Sequence, residues 1–257
     1  MAAQSKDVQK TENRTEENSM IKTFEDQLDK LRTRIIKMGS LVDEQVEYAF
    51  RSLVEWDTAM ARLVMDRDSK VDKLDFKIEK QCQRIFALQQ PVARDLRLIM
   101  AALKINNDLE RMGDLAFNVA RAVEGLLPFR TFVEQLDLSQ MTEAVHTMVK
   151  LTIDSFVNND PELAITTMKS DMRVDQYEAR LNRRIVEMMK QNPEFIEGGA
   201  MLIVLLRNME RLADHATNIA EDVIFFTEAK IVRNRFDSEA FDALQRELHG
   251  EEEKDDE

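Results

Sequence analysis

The chain repeats itself about a hundred residues apart, and that constrains its fold more than any other feature. Residues 110–121 read Glu-Arg-Met-Gly-Asp-Leu-Ala-Phe-Asn-Val-Ala-Arg, and residues 210–221 read Glu-Arg-Leu-Ala-Asp-His-Ala-Thr-Asn-Ile-Ala-Glu. Upstream, Met38 falls on Met141, Val42 on Val145, Val46 on Val149, Asp57 on Asp160, Asp68 on Asp171 and Asp72 on Asp175, a shift of 103 rather than 100. The three extra residues of the first copy fall near Gln89-Gln90-Pro91, where a turn tolerates an insertion. An internal period of this length means two copies of one supersecondary unit. The copies span 20–128 and 129–230, flanked by a polar N-terminal arm (1–19) and an acidic C-terminal tail (231–257) that both read as disordered.

Composition sets the class of that unit. Only 6 Gly and 4 Pro occur in 257 residues, too few turn formers for a sheet protein of this length. With 44% hydrophobic and 33% charged residues, each copy has material for a core and a solvated face. Cys82 alone cannot form an internal disulfide, which suits a reducing cytosol. No apolar run approaches the roughly 20 residues that span a bilayer, and no secretion signal is visible. The net charge of −13 argues against nucleic acid, whose binders gain affinity through Lys and Arg clusters. These observations predict an all-α, cytoplasmic protein that does not insert into membranes.

Helical periodicity lays out the elements. A first helix is expected over about 20–56, with Phe24, Leu28, Leu31, Ile35, Met38, Val42, Val46 and Leu53 inward. A second, over about 58–89, stops before Pro91 because the residue preceding proline disfavours helix. A third carries Leu98, Ala102, Ile105, Leu109, Met112, Ala116, Val119 and Val123 in alternating steps of four and three, a bundle seam, and ends at Pro128. The second copy repeats the plan: one helix over 137–158, another opened by Asp160-Pro161, and a last with Leu202, Leu205, Met209, Leu212, Ala216, Ile219 and Val223. Each copy therefore reads as a three-helix bundle of long antiparallel helices.

Carboxylates and amides form stripes on these helices. Asn107, Glu110, Asp114 and Asn118 share the face of the third helix opposite its seam, and Glu210, Asp214, Asn218 and Glu221 match them. Asp68, Asp72, Asp75 and Glu79 flank the apolar face of the second helix, matched by Asp171, Asp175, Glu178 and Asn182. Like charges four residues apart cost a helix about 0.2–0.5 kcal/mol per pair, usually relieved by interleaved lysine. Lysine is absent from all four stripes, and both copies keep the acid. Oxygen donors on adjacent helices suit hard cations such as Mg²⁺, Ca²⁺, Mn²⁺ or iron rather than thiolate-seeking metals. The alternative is a helical scaffold or adaptor whose acidic faces are merely solvated.

Glu110-Arg111-x-x-Asp114-x-x-x-Asn118 and Glu210-Arg211-x-x-Asp214-x-x-x-Asn218, with the Asp68/Asp72 and Asp171/Asp175 pairs upstream, resemble the paired motifs of the PhoU family across about residues 20–230. The resemblance implies two homologous three-helix bundles and, as a rule, a homodimer. It implies a cytosolic negative regulator of phosphate uptake and of the phosphate-starvation response. Such a regulator works with the ATPase of a phosphate ABC transporter and with a sensor histidine kinase, and so lies peripheral to the inner membrane. It also implies multinuclear metal clusters (iron, Mn, Mg, Zn or Ca) on Asp68, Asp72, Glu110 and Asp114 in one copy and Asp171, Asp175, Glu210 and Asp214 in the other. Asp75, Glu178, Asn107, Asn118, Asn218 and Glu221 are further ligand or supporting candidates. The copies are not identical: Asn107 is matched by Arg207, Glu79 by Asn182 and Glu221 by Arg121.

Nothing points to an enzyme. A ferritin-like di-iron centre needs two Glu-x-x-His motifs on facing helices. The chain has one, Glu143-x-x-His146, and the position equivalent to His146 is Asp43. His215 follows Asp214 and reads as a surface residue unless it lies near metal, and Cys82 reads as core. No Gly-rich phosphate loop is present.

Overall fold

The computed structural model describes the backbone of residues 2–233 and 248 and the side chains of residues 24–233 and 248. Its elements are α1 (Ala2–Glu55), α2 (Thr58–Gln89), α3 (Ala93–Leu126), a 3-10 turn (Leu127–Phe129), the short α4 (Arg130–Val133), α5 (Ser139–Asn158), α6 (Pro161–Gln191), a second 3-10 turn (Pro193–Phe195) and α7 (Ile196–Glu228). No strand occurs among the described residues. Helices α1, α2 and α3 pack on one another, and so do α5, α6 and α7, giving two three-helix bundles.

The seams form the cores. Ala102, Ile105, Leu109, Met112, Ala116, Val119 and Val123 on α3, and all seven positions named above on α7, are buried. Leu31, Ile35, Met38, Val42, Val46 and Leu53 close the first bundle from α1, and Cys82 is core as expected. Burial pushes the Cys82 thiol up to about 12, so it stays protonated.

One boundary differs from expectation. Helix α1 starts at Ala2, so the backbone of the arm expected to be disordered over 1–19 is helical from Ala2 onward. Residues 2–19 contain neither Pro nor Gly. A helix nucleated by its packed part therefore extends back through them, adding one hydrogen bond per residue. Most of the acidic tail (231–257) lies outside the described residues, but its first part does not behave as free chain, because Val232 is buried.

Matching caps open the second helix of each bundle. The Asp57 carboxylate accepts from the Met60 N–H at 2.9 Å. The Asp160 carboxylate accepts from Glu162 N–H at 2.9 Å and Leu163 N–H at 3.2 Å, ahead of Pro161 in the first turn. Each cap satisfies an orphan helix donor. Asp160→Ala is expected to cost about 1 kcal/mol, or roughly 2–4 °C in melting temperature for a protein of this size. An unchanged calorimetric melt would show the cap to be idle.

The bundles join through α3 against α7 and α1 against α5. Both contacts are antiparallel: Lys104 reaches Asp222, Asp108 reaches His215, and Arg32 Nη2 reaches Val157 O at 2.8 Å and Asn159 Oδ1 at 3.0 Å. His146 Nε2 lies 3.1 Å from Asp43 Oδ1. These two residues occupy equivalent positions of the repeat, and equivalent positions meet only beside an internal two-fold axis. His146 is engaged there, and Glu143 is exposed.

Candidate functional site

In the first bundle the stripes of α2 and α3 face each other across the groove between the helices. Burial raises the Asp68 carboxyl above the usual range, and Asp72 and the α3 residue Asp114 raise it further. Glu110 is raised by burial first, then by Asp114, with Asp75 and Asp72 of α2 adding to it and Arg111 opposing. Asp75 is raised by burial, while Asn106 Nδ2 donates to its Oδ1 at 2.5 Å and pulls the other way. Carboxylates of the two helices thus repel one another across this groove.

The second bundle builds the same groove more tightly. Asp171 and Glu210 are only 5% and 6% exposed, whereas Asp175 is exposed and Glu178 half-buried. Burial pushes Glu210 up to about 7, with Asp214 next; Glu178 and Asp175 of α6 add to the effect and Arg207 opposes it. Glu210 Oε2 sits 3.1 Å from Arg207 Nη1 but makes no aligned hydrogen bond, and the buried Asn182 Oδ1 has no hydrogen-bond partner either.

Helices α3 and α7 each pack on three others, and the face opposite the seam is only partly solvated: Glu210 is buried, Glu110, Asp114 and Asp214 are half-buried, and Asn107 and Asn218 are exposed. Lysine is absent from the stripes, but arginine borders them: Arg111 lies 3.4 Å from Asp114 and 3.5 Å from Glu110 in the first bundle, and Arg207 lies 3.1 Å from Glu210 in the second.

The remaining candidates lie elsewhere. Asn118 Oδ1 accepts from Arg121 at 3.0 Å. Asn107, Asn218 and Glu221, together with Asp214, line a pocket between α3 and α7. Sequence reading missed the pairs across that seam. Lys104 Nζ donates to Asp222 Oδ1 at 2.8 Å, and His215 Nδ1 lies 2.7 Å from Asp108 Oδ1. His215 is thus a paired seam residue with a side chain 14% exposed, not a free surface histidine. A signal for these pairs was present: Lys104, Asp108, Asp222 and His215 break the repeat, their equivalents being Val204, Asn208, Ala122 and Leu115.

A profile of the PhoU domain matches residues 35–123 and again 138–223, one match for each bundle. The chain belongs to the PhoU family. Among its relatives are the phosphate-specific transport system accessory protein PhoU homologs of Pseudomonas aeruginosa and Pseudomonas putida. The first is 36% identical over 82% of this chain and 88% of the relative; the second is 35% identical over 82% and 83%. The crystal structure of PhoU from Pseudomonas aeruginosa superposes with a TM-score of 0.76 at 34% identity, over 80% of this chain and all of that one. The phosphate transport system regulatory protein PhoU from Streptococcus pneumoniae gives 0.74 at 30% identity, over 82% and 99%.

Against this PhoU frame, the stripes can be judged as a cation site. Among the described residues no three His, Cys, Asp or Glu side chains converge into a finished metal cage. The donor chemistry nonetheless fits a hard cation: crowded carboxylates with raised pKa values, and buried oxygens of Glu210 and Asn182 left without hydrogen bonds. A buried acceptor without a hydrogen bond carries a cost, and mutual carboxylate repulsion is relieved by a positive ion between them.

Proposed function

We propose that the protein is a cytoplasmic negative regulator of phosphate uptake and of the phosphate-starvation response. It acts as a homodimer through contacts with the ATPase of a phosphate ABC transporter and with a sensor histidine kinase. The observation that carries this reading is the PhoU match over both bundles, together with relatives whose names tie them to phosphate-specific transport. Among the described residues no helix is long and apolar enough to cross a membrane, so access to a membrane-bound transporter would come through protein contacts.

Asp68, Asp72, Glu110 and Asp114 would hold cations on one bundle, and Asp171, Asp175, Glu210 and Asp214 on the other. Asp75 and Glu178 lie within electrostatic reach of the same grooves. Bound ions would neutralise the crowded acid and leave exchangeable positions toward solvent. The protein's own part is to hold the carboxylates against one another on rigid packed helices and to bury two of them, Asp171 and Glu210.

The test is alkaline phosphatase activity in phosphate-replete medium, in the source cell with and without this gene. Derepression on deletion, reversed by the wild-type gene, is the expected result. Unchanged activity and unchanged phosphate uptake would overturn the reading.

A further inference from the structure

Helix α2 packs on α1 and α3, which leaves one flank of it open to solvent. Along that flank Lys70, Lys73, Lys77, Lys80 and Arg84 recur in steps of three and four, and all five are exposed. Residues at this spacing share one helix face. The stripe is turned away from the buried Val71, Ile78 and Ile85. It lies about 140° around the helix from the acidic stripe of the groove. Arg34 of α1, whose Nη1 donates to Lys77 O at 3.3 Å, adds a further charge along its margin.

A charge run on a helix is ordinarily a solvated face balanced by acid. This one is unbalanced. Among the described residues none of the five cations forms an ion pair. Each step along the stripe therefore sets like charge against like, which destabilises a helix. Two apolar side chains stand in the same field. Phe76, 63% exposed, lies beside the stripe with Lys80 Nζ 6.0 Å from its ring centre, and Leu88, 61% exposed, follows one turn after Arg84.

The second copy of the repeat supplies the comparison. There Arg173, Gln176, Arg180, Arg183 and Glu187 stand at the five positions, and Ala179 replaces Phe76. An acid interrupts that face, and Tyr177 engages Arg173 and Arg180, the latter also bonded to Gln140. The bundle is thus built equally well without a free, unbroken basic stripe.

We infer that this face of α2 rests on an anionic phospholipid surface. The ammonium groups reach the lipid phosphates and Phe76 sits at headgroup depth, with no segment entering the hydrocarbon. Clustered lysines on an exposed helix are drawn to anionic lipid, and an aromatic ring favours the headgroup boundary. A protein partner fits worse, because protein interfaces are depleted in lysine. The net charge of −13 does not forbid the contact, since exposed charges farther from the lipid than about 8 Å are largely screened at physiological salt. The inference goes beyond the regulatory reading and rests on the α2 face alone.

The test is co-sedimentation of the full-length protein with vesicles of phosphatidylcholine, alone or with about 30% phosphatidylglycerol. Binding is expected to the anionic vesicles only, and should fall steeply as salt is raised from about 0.05 to 0.3 M. Lys73→Gln, Lys77→Gln and Lys80→Gln together should weaken it at least tenfold, each charge near the surface being worth roughly fivefold. Phe76→Ala should weaken it several-fold. A control carrying Lys169→Gln, Arg183→Gln and Lys190→Gln has the same net charge and should bind like the wild type. All the substituted residues are exposed, so the variants should keep their fold, which circular dichroism melts check. Equal weakening in both triple variants would reduce the effect to net charge and overturn the proposal. Absence of binding to anionic vesicles would overturn it too; a polyglutamate peptide or a DNA duplex bound in their place would give the face to an acidic protein or a nucleic acid. Neither outcome bears on alkaline phosphatase derepression, so the two readings fail separately.

Discussion

Metal-free protein titrated with Mn²⁺ or Mg²⁺ is expected to gain thermal stability, and the Asp114→Ala, Asp214→Ala double variant to gain little. The reason is linkage. An ion that binds only the folded state adds about 2.7 kcal/mol at a concentration a hundred times its dissociation constant. Two occupied grooves would add about twice that, and each kcal/mol moves the melting temperature by roughly 2–4 °C at this size. Asp114 and Asp214 are the residues to remove because each raises a neighbour across or along its groove: Asp68 and Glu110 in one, Glu210 in the other. Both are half-buried rather than core, so the double variant should fold, and without metal it should be at least as stable as the wild type. Calorimetry, with elemental analysis of the purified protein, checks this. Flat melting temperatures across the titration, with no retained metal, would establish solvated acidic faces and leave the scaffold reading in place.

The second large effect is a pH dependence of inverted sense. Most native carboxylates are stabilised by their surroundings and lose stability in acid. Glu210 does the opposite. Unfolded, it ionises near 4.5, whereas in the folded protein burial and Asp214 push it up to about 7. The folded state therefore holds the proton more tightly, and stability falls as pH rises. The cost is absent below about 4.5, grows between the two values and is complete above about 7. It amounts to on the order of 2 kcal/mol once partial screening is allowed for. Asp222, pushed up to about 6 mainly by burial, adds a smaller effect of the same sign at lower pH. Metal-free protein should thus melt higher near pH 6 than near pH 8. Glu210→Gln should remove most of that difference by raising the melt at the higher pH. Saturating cation should also flatten it, since it favours the ionised form. A wild type that melts higher near pH 8 without metal would contradict the burial of an unneutralised Glu210.

Much of the architecture could be read from residues. Asp57 and Asp160 stand one repeat apart, and both cap a helix where apolar periodicity places its start. The α3 and α7 seams alternate steps of four and three, and nearly every position on them is buried. The acidic stripes were legible because a duplicated sequence carries its own comparison. What periodicity could not supply was the neighbour on a helix's far side. It describes one helix about its own axis, so it carried no sign that Glu210, on the face opposite the α7 seam, is buried. The same limit hid Asp108 and Asp222. Each looks like an ordinary surface acid until a helix more than a hundred residues away sets His215 or Lys104 against it.

The sequence by itself therefore determined the helices, their caps, their duplication, and the oxygen-rich stripes that any packing would have to accommodate. These depend on hydrogen bonds and side-chain spacing within a few turns. The tertiary structure decided which stripes meet, how far each carboxylate is withdrawn from water, and that the two bundles join antiparallel with a pocket on one side of the axis. Those properties arise from the distance between charges on different helices and from the dielectric around them. Neither exists until the bundles have packed.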